Sequence, residues 1–208
     1  MRELTLINPV EQKNWNNLLL NIPGCSFFHT SEWADVLIRS YNYQPFFLCK
    51  KKDDKLECLL PIMEVASPVT GKRGVCLPFT DFCEPLVANS DQFQELIGRA
   101  IELGRKRKWK YLEIRGGEQY LSEEKPSQVF WGHDLDLSCG ERQLLSGLRA
   151  STRRNIKKAQ NEKIEVHISS TPNALKEFCR LNILTRREHG LPPQPYQFFQ
   201  NLYESVIA

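Results

Sequence analysis

The sequence predicts an α/β chain of the α+β kind: a mixed, mostly antiparallel sheet flanked by helices, followed by an incomplete second copy of the same arrangement. Three observations predict it. Alternating and helix-period hydrophobic runs follow one another as β-α-α-β-β-β-α-β over residues 1–117. A polar stretch, residues 118–128, interrupts the pattern as a linker. Strand and helix signals then resume over residues 129–208 without enough strands to cover the helices, so a second lobe is expected to be truncated.

The elements follow in order. Residues 3–7 alternate as a strand, and Asn8, Pro9 and Glu11 give a helix start, with Trp15, Leu18 and Leu19 on its apolar side. After the Pro23-Gly24 turn, Thr30 or Ser31 caps a helix reaching Tyr41, in which Trp33, Leu37 and Tyr41 share one face. Residues 45–50 and 56–63 form a hairpin around Lys52-Asp53-Asp54-Lys55. A third strand, 75–79, follows turns at Gly71 and Gly74. From Asp91 the period is helical, burying Phe93, Leu96, Ile97, Ala100, Ile101 and Gly104, and residues 109–115 alternate as a strand.

In the second half, residues 129–137 and 164–168 read as strands. A long helix is expected over 141–162, another from Thr171-Pro172 to Gly190, and a last one from Tyr196.

A chain of 208 residues, 41% hydrophobic and 25% charged with 11 Gly and 12 Pro, excludes disorder and collagen-like repetition. It can bury roughly 70% of the surface its unfolded form exposes. Seven cysteines without a C-x-x-C pair read as reduced, small hydrophobic residues rather than a disulfide or zinc scaffold. The N-terminus has no apolar segment of signal type, and no run approaches the ~20 apolar residues of a membrane span. A cytoplasmic chain is expected.

The net charge of +3 hides a sorted distribution. Arg105, Lys106, Arg107, Lys108 and Lys110 cluster where a helix ends, complementing its dipole. Along the long helix, at about 100° per residue, Leu148, Thr152, Ile156 and Ala159 form an apolar seam. Arg149, Arg153, Arg154, Lys157 and Lys158 occupy the opposite side. Repulsion among these five is relieved by solvent or by a bound polyanion, and tRNA phosphates, a lipid diphosphate, a nucleotide sugar or anionic headgroups all suit.

Other chemistry-bearing groups have structural readings as well. Arg186, Arg187 and His189 suit a helix C-terminus before Gly190, or else place Arg187 and His189 at a substrate site. Residues 27–33, FFHTSEW, read as a hydrophobic staple and a capped helix start, with His29 beside the cap. Asp81 and Glu84 serve turn geometry among Pro78 and Pro85. Zincin, serine-hydrolase and Walker signatures are absent from the sequence, which excludes those motif-bearing hydrolases and kinases.

The element order resembles the acyl-CoA N-acyltransferase (GNAT-like) fold. The segments Thr30 to Trp33 after Phe27-Phe28, LPFTD (77–81) with EPL (84–86), YLEIR (111–115), STRRNIKKA (151–159) and REHGLPPQP (187–195) look like the Fem-type branch, built of two tandem lobes. The resemblance implies transfer of an acyl or aminoacyl group to an amine of a cell-envelope precursor such as peptidoglycan or a polysaccharide-linked substrate. It also implies two neighbouring strands that splay, freeing a backbone N–H to polarise the acyl carbonyl. Relatives that use CoA cradle its pyrophosphate in a glycine-bearing turn, whereas residues 80–91 here, TDFCEPLVANSD, contain none. No cofactor is therefore expected in the first lobe. Acyl-CoA or aminoacyl-tRNA is the donor in prospect, at a site past residue 208.

The expected partners are a phosphate-bearing envelope precursor, tRNA, and a membrane surface met peripherally. The candidate substrate-binding residues are Arg115, Arg153, Arg154, Lys157, Lys158, Arg187 and His189; catalytic residues are not assigned. The competing expectations are a non-catalytic basic adaptor for RNA or an anionic membrane surface, and an inactive fragment.

Overall fold

The computed structural model describes residues 4–52, 55–81 and 83–208. Glu3 of the first expected strand, the Asp53-Asp54 turn and Phe82 lie outside the described residues.

Two sheets form the framework. Strands β1 (Thr5–Ile7), β3 (Phe47–Lys52) and β4 (Lys55–Leu60) make an antiparallel sheet in the order β1-β3-β4. Strands β2 (Gln44–Pro45), β5 (Met63–Ser67), β6 (Gly71–Val75) and β7 (Leu112–Glu113) make the other, antiparallel except for the parallel pair β6-β7. The single strand expected over 56–63 is divided at Pro61, which cannot donate to a ladder, and the chain passes there from one sheet to the other. The third strand runs through Gly71 and Gly74 rather than after them. At Gly74 a Cβ would lie 2.4 Å from the Trp109 ring, so the strand accepts the indole only because that side chain is missing. Of the strand expected over 109–115, only Leu112 and Glu113 pair.

The helices match their caps better than their lengths. Helix α1 (Trp15–Leu19) begins six residues later than the Asn8-Pro9 signal. Asn8 does bond Glu11 and the Val10 N–H, but it closes a turn, and Asn14 in the left-handed region restarts the chain before the helix. Thr30 caps α2 (Ser31–Tyr41) by accepting from the Trp33 N–H at 3.3 Å. Asn89 caps α3 (Ser90–Arg107), which buries Phe93, Leu96, Ala100 and Gly104 as its period requires, whereas Ile97 is half-buried and Ile101, expected on the same face, is exposed.

Most of the basic cluster ends α3 as expected, but Arg107 has another role. Its guanidinium forks onto buried Glu64 through Nε (2.8 Å) and Nη2 (2.7 Å). The Trp109 indole N–H donates to the same carboxylate at 2.6 Å, and Lys72 stands at 3.6 Å. These partners, Arg107 foremost, hold the Glu64 carboxyl below its ordinary value of 4.5.

The described chain groups into two compact units, Met1–Glu123 with Ser170–Ala208, and Glu124–Ser169. The sequence had suggested 1–117, 118–128 and 129–208. In the larger unit, α6 (Pro172–Glu188) and α7 (Tyr196–Leu202) follow the first 123 residues, and α7 docks on α2. Phe198 enters the core, buried Asn201 donates to Ser40 Oγ at 2.9 Å, and Ser205 donates to Asp35 at 2.9 Å. Core side chains such as Phe47, Leu48, Leu59, Ile62 and Leu96 are fully buried, each contributing about 1.5–3 kcal/mol.

The smaller unit corrects two expectations. The helix anticipated over 141–162 is two helices, α4 (Glu141–Gly147) and α5 (Ala150–Asn161), because Leu148 and Arg149 adopt extended backbone between them. Residues 129–137 and 164–168 form no strand, and Trp131 is 90% exposed. An alternating segment becomes a strand only where a neighbour takes its hydrogen bonds, and the described residues supply none here.

Gly74→Ala is expected to cost about 1–3 kcal/mol in urea unfolding by driving a methyl group into Trp109. Because the folded Glu64 carboxyl is depressed, its stabilising contribution is present above about pH 4.5 and is lost as the pH falls through its folded value. Glu64→Gln is therefore expected to unfold more readily at pH 7 and to show a flatter acid limb in the same titration.

Candidate functional site at the carboxyl ends of β6 and β7

Strands β6 and β7 pair for two residues, Gly74 with Leu112 and Val75 with Glu113. The Cys76 N–H still reaches the Glu113 carbonyl at 2.8 Å, and there the chain leaves the sheet. It returns at Cys83, whose N–H donates to the Arg115 carbonyl at 3.1 Å. The excursion between them sits at the carboxyl ends of parallel strands, where open α/β sheets place their ligands.

Two bulky residues in it, Leu77 and Phe79, have φ of 50° and 64°, a left-handed conformation that side chains of this kind seldom adopt. The result is a loop with Leu77, Pro78 and Thr80 buried and Phe79 and Asp81 turned to solvent. Phe79 stacks on Tyr41 with ring centroids 4.9 Å apart, and Tyr41 stacks on Tyr43 at 5.2 Å. Phe198 flanks both Phe79 and Tyr41. Burial, with Tyr43 beside it, pushes the Tyr41 hydroxyl up to about 12, and that hydroxyl has no partner among the described residues.

The loop is pinned on three sides. Arg115 donates from Nη1 to the Thr80 carbonyl and from Nε to Glu113 at 2.7 Å. The Gly117 N–H donates to the Glu84 carboxylate at 2.7 Å. A Cβ on Gly116 would meet that carboxylate at 2.7 Å, and φ of 97° also favours glycine there. Third is His29, 1% exposed, whose Nε2 lies 3.1 Å from the Glu84 carbonyl and whose Nδ1 accepts from the Ser26 N–H at 3.1 Å. These partners place the proton on Nε2. Cys83 Sγ lies 3.6 Å from the same Nε2, yet the pair is not a nucleophile and its base. Nε2 already donates to a carbonyl, and the hydrogen bond to Cys76 together with burial holds the Cys83 thiol protonated far above its ordinary range.

The sequence-derived candidates distribute unevenly. Arg115 is at this site, with two of its donors committed to holding the loop. Arg187 and His189 are exposed at the end of α6, where His189 is the C-cap and Gly190, at φ of 66°, turns the chain. Arg153, Arg154, Lys157 and Lys158 lie on α5 in the smaller unit, exposed, with Ile156 and Ala159 half-buried as the seam predicts. Lys158 has an acidic partner after all, Glu162 at 3.7 Å, in a solvent-exposed pair of small energetic value. Arg153 bonds only the Ser146 carbonyl, and Arg149, Arg154 and Lys157 have no polar partner among the described residues. The sequence reads Tyr41 as part of a helix face, His29 as a neighbour of a helix cap and Phe79 as part of LPFTD, and places none of them at a site. Local pattern carries no trace of the contacts of His29 with Glu84, 55 positions away, or of Tyr41 with Phe79.

The same geometry bears on CoA. A pyrophosphate cradle needs free N–H groups where the chain enters the helix after β6. Here the Gln92 N–H donates to Asn89 Oδ1 at 3.0 Å and the Ala88 N–H donates to Gln92 Oε1 at 2.8 Å, in a segment without glycine. These residues do not fit CoA.

Antiparallel strands lead into a parallel pair, β6 and β7, joined through α3 and parting at its carboxyl end. Among solved structures, the chain is similar to the crystal structure of FemX, with a TM-score of 0.66 and 14% identity, over 99% of this chain and 55% of FemX. It thus spans about half the length of that protein. A ribosomal-protein-alanine N-acetyltransferase from Brucella melitensis biovar Abortus 2308 also matches, at 16% identity and a TM-score of 0.39, over 64% of this chain and 96% of that one. No family model and no curated protein matches the sequence. The likeness to FemX bears out the expected mixed α/β fold of the Fem type. Among the described residues, no helix is long and apolar enough to cross a membrane.

Phe79→Ala, which removes the exposed ring and leaves the strained backbone, is expected to lower the melting temperature by a few degrees. Phe79→Gly, which relieves the left-handed φ, is expected to recover part of that loss in the same thermal scan.

Proposed function

We propose that this chain is part of a Fem-like transferase that moves an acyl or aminoacyl group onto an amine of a phosphate-bearing cell-envelope precursor. The observation that carries the reading is the FemX-type fold, matched along nearly the whole of this chain. The acceptor amine attacks the acyl carbonyl carbon, the bond to the donor's oxygen or sulfur breaks, and the amine releases a proton. Positioning and backbone polarisation supply most of the acceleration in such a step, so a fixed general base is not required. Because residues 76–89 do not fit CoA, the donor, aminoacyl-tRNA or acyl-CoA, binds outside the first lobe. Arg153 and Lys157 contact phosphate, with Arg154 and Lys158 beside them on α5. The protein works in the cytoplasm, where such precursors are activated.

A basic adaptor for RNA or an anionic membrane is the second reading, favoured by the unpartnered cations of α5. Titration calorimetry with a UDP-linked muropeptide separates the two. Arg153→Ala with Lys157→Ala is expected to weaken muropeptide binding at least about tenfold, and random RNA of equal charge is expected to compete poorly. Unchanged affinity in the double variant removes these residues from the site, and equal binding of RNA with a steep salt dependence favours the adaptor.

A further inference from the structure

We propose that His29 is the positioning residue of the β6–β7 site: its neutral imidazole ties the turn before α2 to the Cys83–Glu84 backbone, and its protonation releases residues 76–81 and 83–85. The inference stands on hydrogen bonding and burial alone and holds whichever group the site transfers.

The imidazole is enclosed on every side by elements that fix its tautomer. From α1, the Trp15 indole N–H donates to the His29 carbonyl at 2.9 Å and anchors its backbone. Thr30, the next residue, caps α2. Ser26 presents its N–H to Nδ1 at 3.1 Å and its hydroxyl at 3.0 Å. Facing Nε2 are the Glu84 carbonyl and the Cys83 thiol. The Cys76 thiol donates to the Cys83 carbonyl at 3.5 Å. The charged groups nearby are both engaged elsewhere: the Glu84 carboxylate accepts from Gly117, and Arg115 holds Glu113 and the Thr80 carbonyl.

A proton on Nδ1 would oppose the Ser26 N–H, two donors face to face, leaving the Ser26 hydroxyl as the acceptor within reach. The imidazolium would also sit 1% exposed without a carboxylate on it. Burial accordingly holds His29 below its ordinary 6.5. Its contribution to holding the loop is present above that value and is lost as the pH falls from there through the folded value.

The side that yields is the loop. The Phe27–His29 turn is fastened to α1 and α2, whereas residues 77–81 carry two left-handed bulky residues. Between the Cys76 bond to Glu113 and the paired hydrogen bonds of Leu59 with Leu86 at 2.8 and 2.9 Å, the loop is held by Arg115, by the Glu84 bond to Gly117 and by His29. Opening between those points exposes the imidazole and displaces Phe79 and Thr80 together, so the proton acts on the geometry of the site.

Amide hydrogen exchange across pH, corrected for intrinsic rates, tests this directly. With His29 free to protonate only in the open loop, opening rises about tenfold between pH 7.5 and 5.5. Protection of the Cys83 and Gly117 amides is expected to fall by that factor in the wild type and to stay level in His29→Asn. Ser26→Ala, a milder change that keeps the fold, removes the acceptor and is expected to move the histidine's NMR titration to lower pH. The spectrum is expected to report an Nε2-protonated ring at neutral pH. A His29 that titrates near 6.5 with protection unchanged, or an equal loss of protection in His29→Asn, overturns the proposal.

Discussion

The two-residue parallel contact between β6 and β7 governs how the larger unit is put together. It brings the carboxyl ends of two strands side by side and then lets them part, so that the chain leaves the sheet after Cys76 and rejoins it at Cys83. The contact requires Gly74, because the Trp109 ring occupies the volume a side chain would need. Trp109 is in turn oriented by Glu64, the carboxylate that also receives Arg107. Sheet register, the end of α3 and the start of the site are thus one connected set of constraints, and a change at any of them is felt at the loop.

Around that loop the structure spends its polar groups on position rather than on reactivity. Arg115, Glu84, Gly117 and His29 each bond backbone or neighbouring side chains, and the adjacent thiol is kept protonated. These bonds fix the backbone of the loop and leave the Phe79 ring exposed beside Tyr41.

The sequence made some of this legible and concealed the rest for identifiable reasons. The Thr30 and Thr171 caps, most of the apolar face of α3 and the basic side of α5 are local signals, set by neighbours three or four residues away, and they appear where the pattern puts them. The helix start at Asn8 failed because an asparagine that closes a turn and one that caps a helix make the same first hydrogen bonds. The strand over 56–63 and the helix over 141–162 were overextended. Hydrophobic period does not register a change of sheet at Pro61 or two extended residues at Leu148 and Arg149. The alternation over 129–137 is present without a strand, since pairing is a property of two segments and the pattern belongs to one.

By itself the sequence determined the fold class, the order of most elements up to α3, the sorting of charge onto α5 and the absence of glycine after β6, because each depends on composition or on spacing within one segment. Tertiary structure alone decided that Arg107 belongs to Glu64, that α7 belongs to α2, and that Phe79, Tyr41 and Phe198 share one surface. It also decided that His29 meets Glu84 across 55 positions. The physical reason is that these contacts join residues far apart in the chain, where a side chain's partner is set by how sheets and helices stack and not by the residues beside it.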